Sequence, residues 1–480
     1  MSNLKQKSID AIIWNLIARY GTQFFSLIIS IILARLLTPA DYGLIGVVTV
    51  FFALALVFMR SGFGAAFIQK KDANETDAST IFFFNIFISI FFYFILWFTA
   101  PFIASFYKQD QLVSLIRVAS IILVINSLGM MQITKLTKEV NFKKKTFISL
   151  ASTLIAGIVG IVSALNNFGV WSLVFQQITR SFVNVLGLWL FYNWKPSMVF
   201  SLTSLKTMFS FGSWILMSAL LRTIFDNIYI LIIGKFFPMA ELGFYTKAKG
   251  YQKLVSTQPT MSISIVSFPV FSKLQDDKQA LKNSLKKFME HTLFFIAPIS
   301  AVLMVIAYPL FLVTLTEKWL PMVPYFQLLL IVGVFIPIQK FNLKMLNAQG
   351  KSNLNFKISL IKNGLRILNI IIMYRFGVIF IIYGEILLSL IALFINGYYT
   401  KKFIKYGMFE QLKDMSNIFL ISIISVLMGF FIIGFVNNDF LKILIGILIT
   451  GGTYLILQYC FNRVFFLNNV NLIGSKFKKE

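Results

Sequence analysis

The chain has 480 residues, of which 58% are hydrophobic and 13% charged, and its formal net charge is +26. Soluble domains carry about 25% charged residues, so a water-facing surface of ordinary size is excluded. A composition of 54 Phe against 11 Pro also excludes a disordered or fibrous chain. A bilayer-crossing helix takes about 20 apolar residues plus a connection, which leaves room for about 14 crossings.

Apolar runs of spanning length fall in chain order at 11–37, 43–68, 79–105, 112–134, 146–165 and 169–193. They continue at 208–235, 243–272, 289–315, 322–343, 356–374 and 377–399, with two more at 416–436 and 440–461. Their length and lack of period-2 alternation predict helices rather than barrel strands. The first run begins near Ala11, carries Arg19 and Arg35 and lacks a small-residue cleavage site, so it reads as a retained helix rather than a cleaved leader.

Basic residues test this count. With both ends on the cytoplasmic side, most of the 44 Lys and Arg fall in the inner connections. The outer connections hold Arg35, Lys108, Lys235, Lys318, Arg375 and Lys442. That bias is what the positive-inside rule requires. The loop lysines therefore face anionic lipid, and the basic balance does not call for nucleic acid.

An internal repeat recurs at an offset of 200. ARLLTPADYGLIG at 34–46 aligns with GKFFPMAELGFYT at 234–246, matching Ala40 to Ala240, Asp41 to Glu241 and Gly43 to Gly243. Trp14, Leu16 and Phe25 match Trp214, Leu216 and Phe225. Six runs separate the two copies, an even number, so the halves share one orientation as parallel repeats. The expected organisation is an N-lobe at 1–200, a C-lobe at 201–402, and an appended helix pair with a basic tail at 403–480.

Several runs carry polar stripes at helical spacing. The first holds Asn15, Arg19, Thr22, Ser26 and Ser30, and the seventh holds Ser218, Arg222 and Asp226. Ser172, Gln176, Arg180 and Asn184 mark the sixth, Lys249, Lys253, Ser256 and Thr260 the eighth, and Ser359, Lys362, Arg366 and Asn369 the eleventh. Arg60 in the second run is followed by small residues that permit close helix approach. Charge is costly at bilayer depth and tends to face a polar interior. Arg19, Arg60, Arg180, Arg222, Lys253 and Arg366 are therefore expected to line a cationic lumen, whose guanidinium geometry suits phosphate and carboxylate. For each of them an interhelical hydrogen bond is the alternative. Arg117, Lys249, Lys340 and Lys362, nearer the ends of runs, also suit snorkelling to headgroups.

Two acids lie deep in apolar runs, Asp226 and Glu385. Asp226 stands one turn from Arg222 and fits either a local ion pair or a site that takes up H⁺ or Na⁺; Glu385 has no evident partner and fits either the same ion coupling or a protonated, hydrogen-bonded carboxyl. No catalytic constellation, metal site, P-loop or cofactor motif is present in the sequence. His291 reads as an interfacial residue at a helix end, and Cys460 is the single cysteine.

LARLLTPADYGLIGVVTVFF at 33–52, RSGFGAAFIQKKD at 60–72 and STIFFFN at 79–85 closely resemble the polysaccharide-exporter branch of the multidrug/oligosaccharidyl-lipid/polysaccharide (MOP) transporter superfamily, the Wzx-like flippases. The resemblance implies an all-α, V-shaped fold of two six-helix lobes plus a helix pair. It also implies that the chain turns a polyprenyl-diphosphate-linked oligosaccharide from the inner to the outer leaflet of a bacterial cytoplasmic membrane. Expected partners are that lipid-linked glycan, membrane lipid, and the glycosyltransferases and glycan polymerase of the same route. Arg19, Arg60 and Arg222 match the family's lumen arginines by helix and depth. A cation-coupled drug exporter of the same superfamily and an integral-membrane glycan enzyme are the alternatives.

Overall fold

The computed structural model describes residues 2–60, 62–139, 142–467 and 469. Among them the chain is helical throughout, in the order α1 (Ser2–Leu36), α2 (Pro39–Arg60), α3 (Phe63–Gln69), α4 (Glu75–Tyr107), α5 (Gln111–Ala119), α6 (Ile121–Lys138), α7 (Phe142–Leu165) and α8 (Trp171–Phe191). There follow α9 (Leu202–Phe236), α10 (Met239–Gln252), α11 (Gln258–Lys273), α12 (Lys278–Leu315), α13 (Val323–Ala348), α14 (Ser352–Met373), α15 (Val378–Ile404), α16 (Met408–Ile433) and α17 (Asp439–Phe461). A π-helical turn, Lys253–Thr257, joins α10 to α11.

Twelve segments among the described residues are long and apolar enough to cross a membrane, which makes this a multi-pass membrane protein. Two of the fourteen runs read from the sequence, now α8 and α14, fall outside that set. Their lengths of 21 and 22 residues reach roughly 30 Å, enough for a bilayer core. Their polar stripes lower their average hydropathy, and helices of that kind need bundle neighbours.

The chain divides into two compact units, Met1–Gly243 and Phe244–Glu480. In the first, α7 packs chiefly on α1 and α8, α4 on α6, and α2 on α9. In the second, α12 packs on α13, α16 and α17, and α13 on α15. The largest core cluster there includes Phe271, Leu285, Met289, Phe341, Met345 and Met415, all buried.

The family-like stretches are structural devices. Thr38 caps α2: its amide and hydroxyl both donate to Asp41 Oδ2, at 2.8 and 2.7 Å, and its hydroxyl oxygen accepts from the Asp41 amide at 3.3 Å. Pro39 in the first turn lacks the N–H that would be unsatisfied there. Gly62, with φ of 73°, sets the left-handed turn into α3. Ser79 and Thr80, from STIFFFN, bind the segment leading to α9 through Ser197 and the Ser201 amide, the latter at 3.0 Å.

The repeat closes on itself at one crossing. A Cβ on Gly43 would strike the Met239 carbonyl, and a Cβ on Gly243 would strike the Pro39 carbonyl. All four residues lie in the first unit, and the two contacts map onto each other at the offset of 200. The first turns of α2 and α10 thus meet backbone to backbone, and only glycine fits at either point.

Candidate functional site

In the first unit, α1 turns an apolar stripe outward: Tyr20, Phe24, Ile28 and Ile32 are exposed. The opposite stripe, with Arg19, Thr22, Ser26 and Ser30, is half-buried. Thr22 Oγ1 donates to the Ala18 carbonyl at 2.6 Å and lies 3.1 Å from the Arg19 carbonyl, so its hydroxyl is satisfied within its own helix. α7 packs on α1 beside this stripe: Thr146 donates to the Trp14 carbonyl at 2.9 Å, and Gly157 leaves room for Ile29. The side chains of Asn15 and Arg60 lie outside the described residues.

α9 is arranged differently. Ser218, Arg222 and Asp226 all lie exposed on one face. Arg222 and Asp226 do not form an ion pair, although seven other ion pairs occur among the described residues. Arg preceding Asp at i, i+4 is the weaker order on a helix, because each charge then sits at the wrong end of the dipole. Further along the same face, Tyr229 and Ile233 are buried. There Gly234 packs on Tyr107 and Val47, and Lys235 reaches the Phe106 carbonyl with its ammonium 4.0 Å from that ring's centroid. The polar face is therefore open at mid-helix and sealed towards Phe236. Arg180 on α8 is exposed, whereas Ser172, two turns before it, is buried with no partner for its hydroxyl.

In the second unit, Lys253 is exposed at the start of the π turn. Pro259 in the next turn has no N–H to give the preceding carbonyls, which favours a wider turn there. The extra residue turns Gln252 and Ser256 into the bundle, buried against Gly333 of α13.

The structure gives Glu385 a partner that the sequence did not. Its Oε1 lies 3.8 Å from Lys249 Nζ, and Lys249 in turn donates to the Tyr245 hydroxyl at 2.7 Å. The other carboxylate oxygen, Oε2, is buried without a hydrogen bond. On α14, Lys362 donates to Gln339 Oε1 at 2.8 Å and Arg366 meets Asn363 Oδ1 at 3.5 Å. Because α14 begins at Ser352, before the apolar run, Lys362 sits at mid-helix rather than near its end.

Other charged clusters are mortar between helices. Lys70 pairs with buried Asp77 at 2.6 Å, and Glu75 takes Lys135 and, at 2.6 Å, the Trp194 indole N–H. Lys286 bridges α12 to Asp414 of α16 at 2.8 Å. Tyr406 donates to the same carboxylate, and burial followed by that bond pushes its phenol far above the usual range. His291 Nδ1 lies 2.6 Å from Asn469 Oδ1, and its ring stacks on Phe465. The Glu75–Trp194, Lys286–Asp414 and His291–Asn469 contacts join elements far apart in sequence, so no periodicity announces them.

The polysaccharide biosynthesis protein family profile matches residues 32–324. The chain is 29% identical over 309 residues to the teichuronic acid biosynthesis protein TuaB of Bacillus subtilis (strain 168), a match covering 63% of each chain. It thus spans less than two thirds of that relative's length. It is 25% identical over 376 residues to the lipopolysaccharide biosynthesis protein WzxC of Escherichia coli (strain K12), covering 77% of this chain and 76% of that one. Its fold is similar to that of the lipid II flippase MurJ in an inward closed conformation, with a TM-score of 0.78 and 17% identity over 95% of this chain and 99% of that one. The profile spans more than half of the sequence and includes its TPADYGL and GFG stretches, and the chain belongs to the polysaccharide biosynthesis protein family.

Proposed function

We propose that the protein is a flippase that turns a polyprenyl-diphosphate-linked oligosaccharide from the inner to the outer leaflet of a bacterial cytoplasmic membrane, and that it is not an enzyme. The observation that carries this reading, beside the family, is the open polar face of α9, where Arg222 stands exposed and unpaired at membrane depth. An unpaired guanidinium in an apolar segment is costly unless water or an anion meets it. Arg19, Arg60, Arg180, Arg222, Lys253 and Arg366 hold the diphosphate and any acidic sugars during passage. The prenyl tail stays in lipid. Asp226 and Glu385 take up H⁺ or Na⁺ and bias an alternating-access cycle.

In this reading the chain crosses the membrane fourteen times with both termini cytoplasmic. The functional division follows the repeat: lobes at 1–200 and 201–402, and the helix pair with its tail at 403–480. Glycosyltransferases supply the cargo on the inner side and a glycan polymerase consumes it on the outer side. The predominantly cationic stripes disfavour the organic cations that a drug exporter would carry.

The test is to deplete the protein and read the lipid-linked glycans by mass spectrometry, with an impermeant probe reporting sidedness. Complete repeat units trapped on the inner leaflet are expected. Truncated units would indicate an enzyme, and an unchanged pool with altered drug susceptibility would indicate a drug exporter.

A further inference from the structure

The helix α14 is inside out by the standards of a soluble protein. Phe356, Leu360, Ile367, Leu368 and Ile371 are exposed on one side, while Lys362, Arg366 and Asn369 lie on the other. That other side meets α13 and α15. The Gln339 side chain of α13 accepts from Lys362 and donates to the Ser389 carbonyl of α15 at 3.4 Å, and Asn369 donates to the Ile381 carbonyl at 3.2 Å. These two rungs fix the register of α14 on α15 and place Arg366 at the level of Glu385.

The carboxylate at that level is nevertheless turned away. Glu385 pairs with Lys249, not with Arg366 or Lys362. What bears on Lys362 electrostatically is cationic: Arg366 one turn on, and Lys340 next to Gln339 on α13. Lys362 and Arg366 have neutral amides as their hydrogen-bonding partners. The half-buried like charges of Lys362 and Arg366 repel each other, and neutral amides relieve little of that repulsion. A multiply charged oxyanion would relieve it, with Arg366 offering a planar fork and the lysines point charges.

We propose that Lys340, Lys362 and Arg366, oriented by Gln339, form an anion subsite in the second unit that receives a phosphoryl headgroup. Its assignment to cargo rests on the flippase reading; the same chemistry would also accept an ordinary anionic phospholipid. As cargo site it deepens that reading, giving the second unit a place of its own for the phosphoryl group.

The experiment uses the full chain in phosphatidylcholine nanodiscs, with dissociation constants measured for undecaprenyl diphosphate, phosphatidylglycerol and inorganic pyrophosphate. The wild type is expected to bind undecaprenyl diphosphate, with Lys362→Gln and Arg366→Gln each weakening it by about tenfold. Lys362→Arg should stay within about threefold of wild type. Lys340→Gln, at an exposed position, keeps a polar side chain while removing its charge and should also weaken binding. Unchanged constants in Lys340→Gln and in the folded glutamine variants would overturn the subsite and leave the flippase reading standing. Binding of pyrophosphate and phosphatidylglycerol that depends on Lys362, without binding of undecaprenyl diphosphate, would keep the subsite and overturn its assignment to cargo.

Discussion

α1 and α9 begin the two repeats, share Trp, Leu and Phe at matched positions, and still meet their surroundings in opposite ways. α1 half-buries its polar stripe, keeps Thr22 satisfied inside its own helix and exposes an aromatic and aliphatic face. α9 exposes its polar stripe, and its two charges stand in the open without closing on each other. The repeat therefore conserves how a helix is entered and left, while the use of its polar face is set by what packs over it. Beside that face α1 packs on α7, with Gly157 and Thr146 at the contact.

The largest effect should come where the repeats are most alike. Gly43→Ala or Gly243→Ala drives a methyl group into a carbonyl that the crossing helix cannot withdraw, and most of the folded protein should be lost from the membrane. Equal accumulation of wild type and both variants would break the claim that this crossing is backbone to backbone. Next comes α9: Arg222→Ala should lower transport roughly 10- to 100-fold, the worth of about 1.5–3 kcal/mol for a hydrogen bond to a charged group. The protein should still accumulate normally, since an exposed side chain holds nothing together; wild-type transport would remove Arg222 from the pathway. On the α1 side, Gly157→Leu should cost about 1–3 kcal/mol through overpacking against Ile29, seen as a lower unfolding temperature in detergent. Smallest of all, Thr22→Val should change stability by under about 0.5 kcal/mol and leave transport intact. A large transport defect there would mean that the Thr22 hydroxyl, beside Arg19, itself takes part in the passage.

Much of this was legible because membrane folding is governed by a few strong signals. Hydropathy gave the runs, and the offset of 200 matched Gly43 to Gly243, although only the structure brings the first turns of their helices together. The same reading placed the start of the eleventh run at residue 356, because Ser352, Asn353 and Asn355 are polar. The helix continues through them, and Lys362 moves to its middle. Pairing between helices left no such trace. The Lys249–Glu385 contact joins residues on two distant runs, and Gln339 reads as an ordinary amide until α14 and α15 flank it. Helical spacing suggested an Arg222–Asp226 pair, but spacing fixes only proximity on a cylinder, and water competes for both charges at an exposed face.

The glycine crossing also sets an order of events during synthesis. Pro39 and Gly43 leave the ribosome early, but their counterparts Met239 and Gly243 follow only some 200 residues later, about 10–40 s at ordinary elongation rates. Throughout that interval the notch at Gly43 is open, and the early helices have been inserted without the backbone that will seal them. Whatever shelters nascent membrane chains must hold this half unsealed until α10 arrives. A chain released before residue 243 carries its crossing half-built.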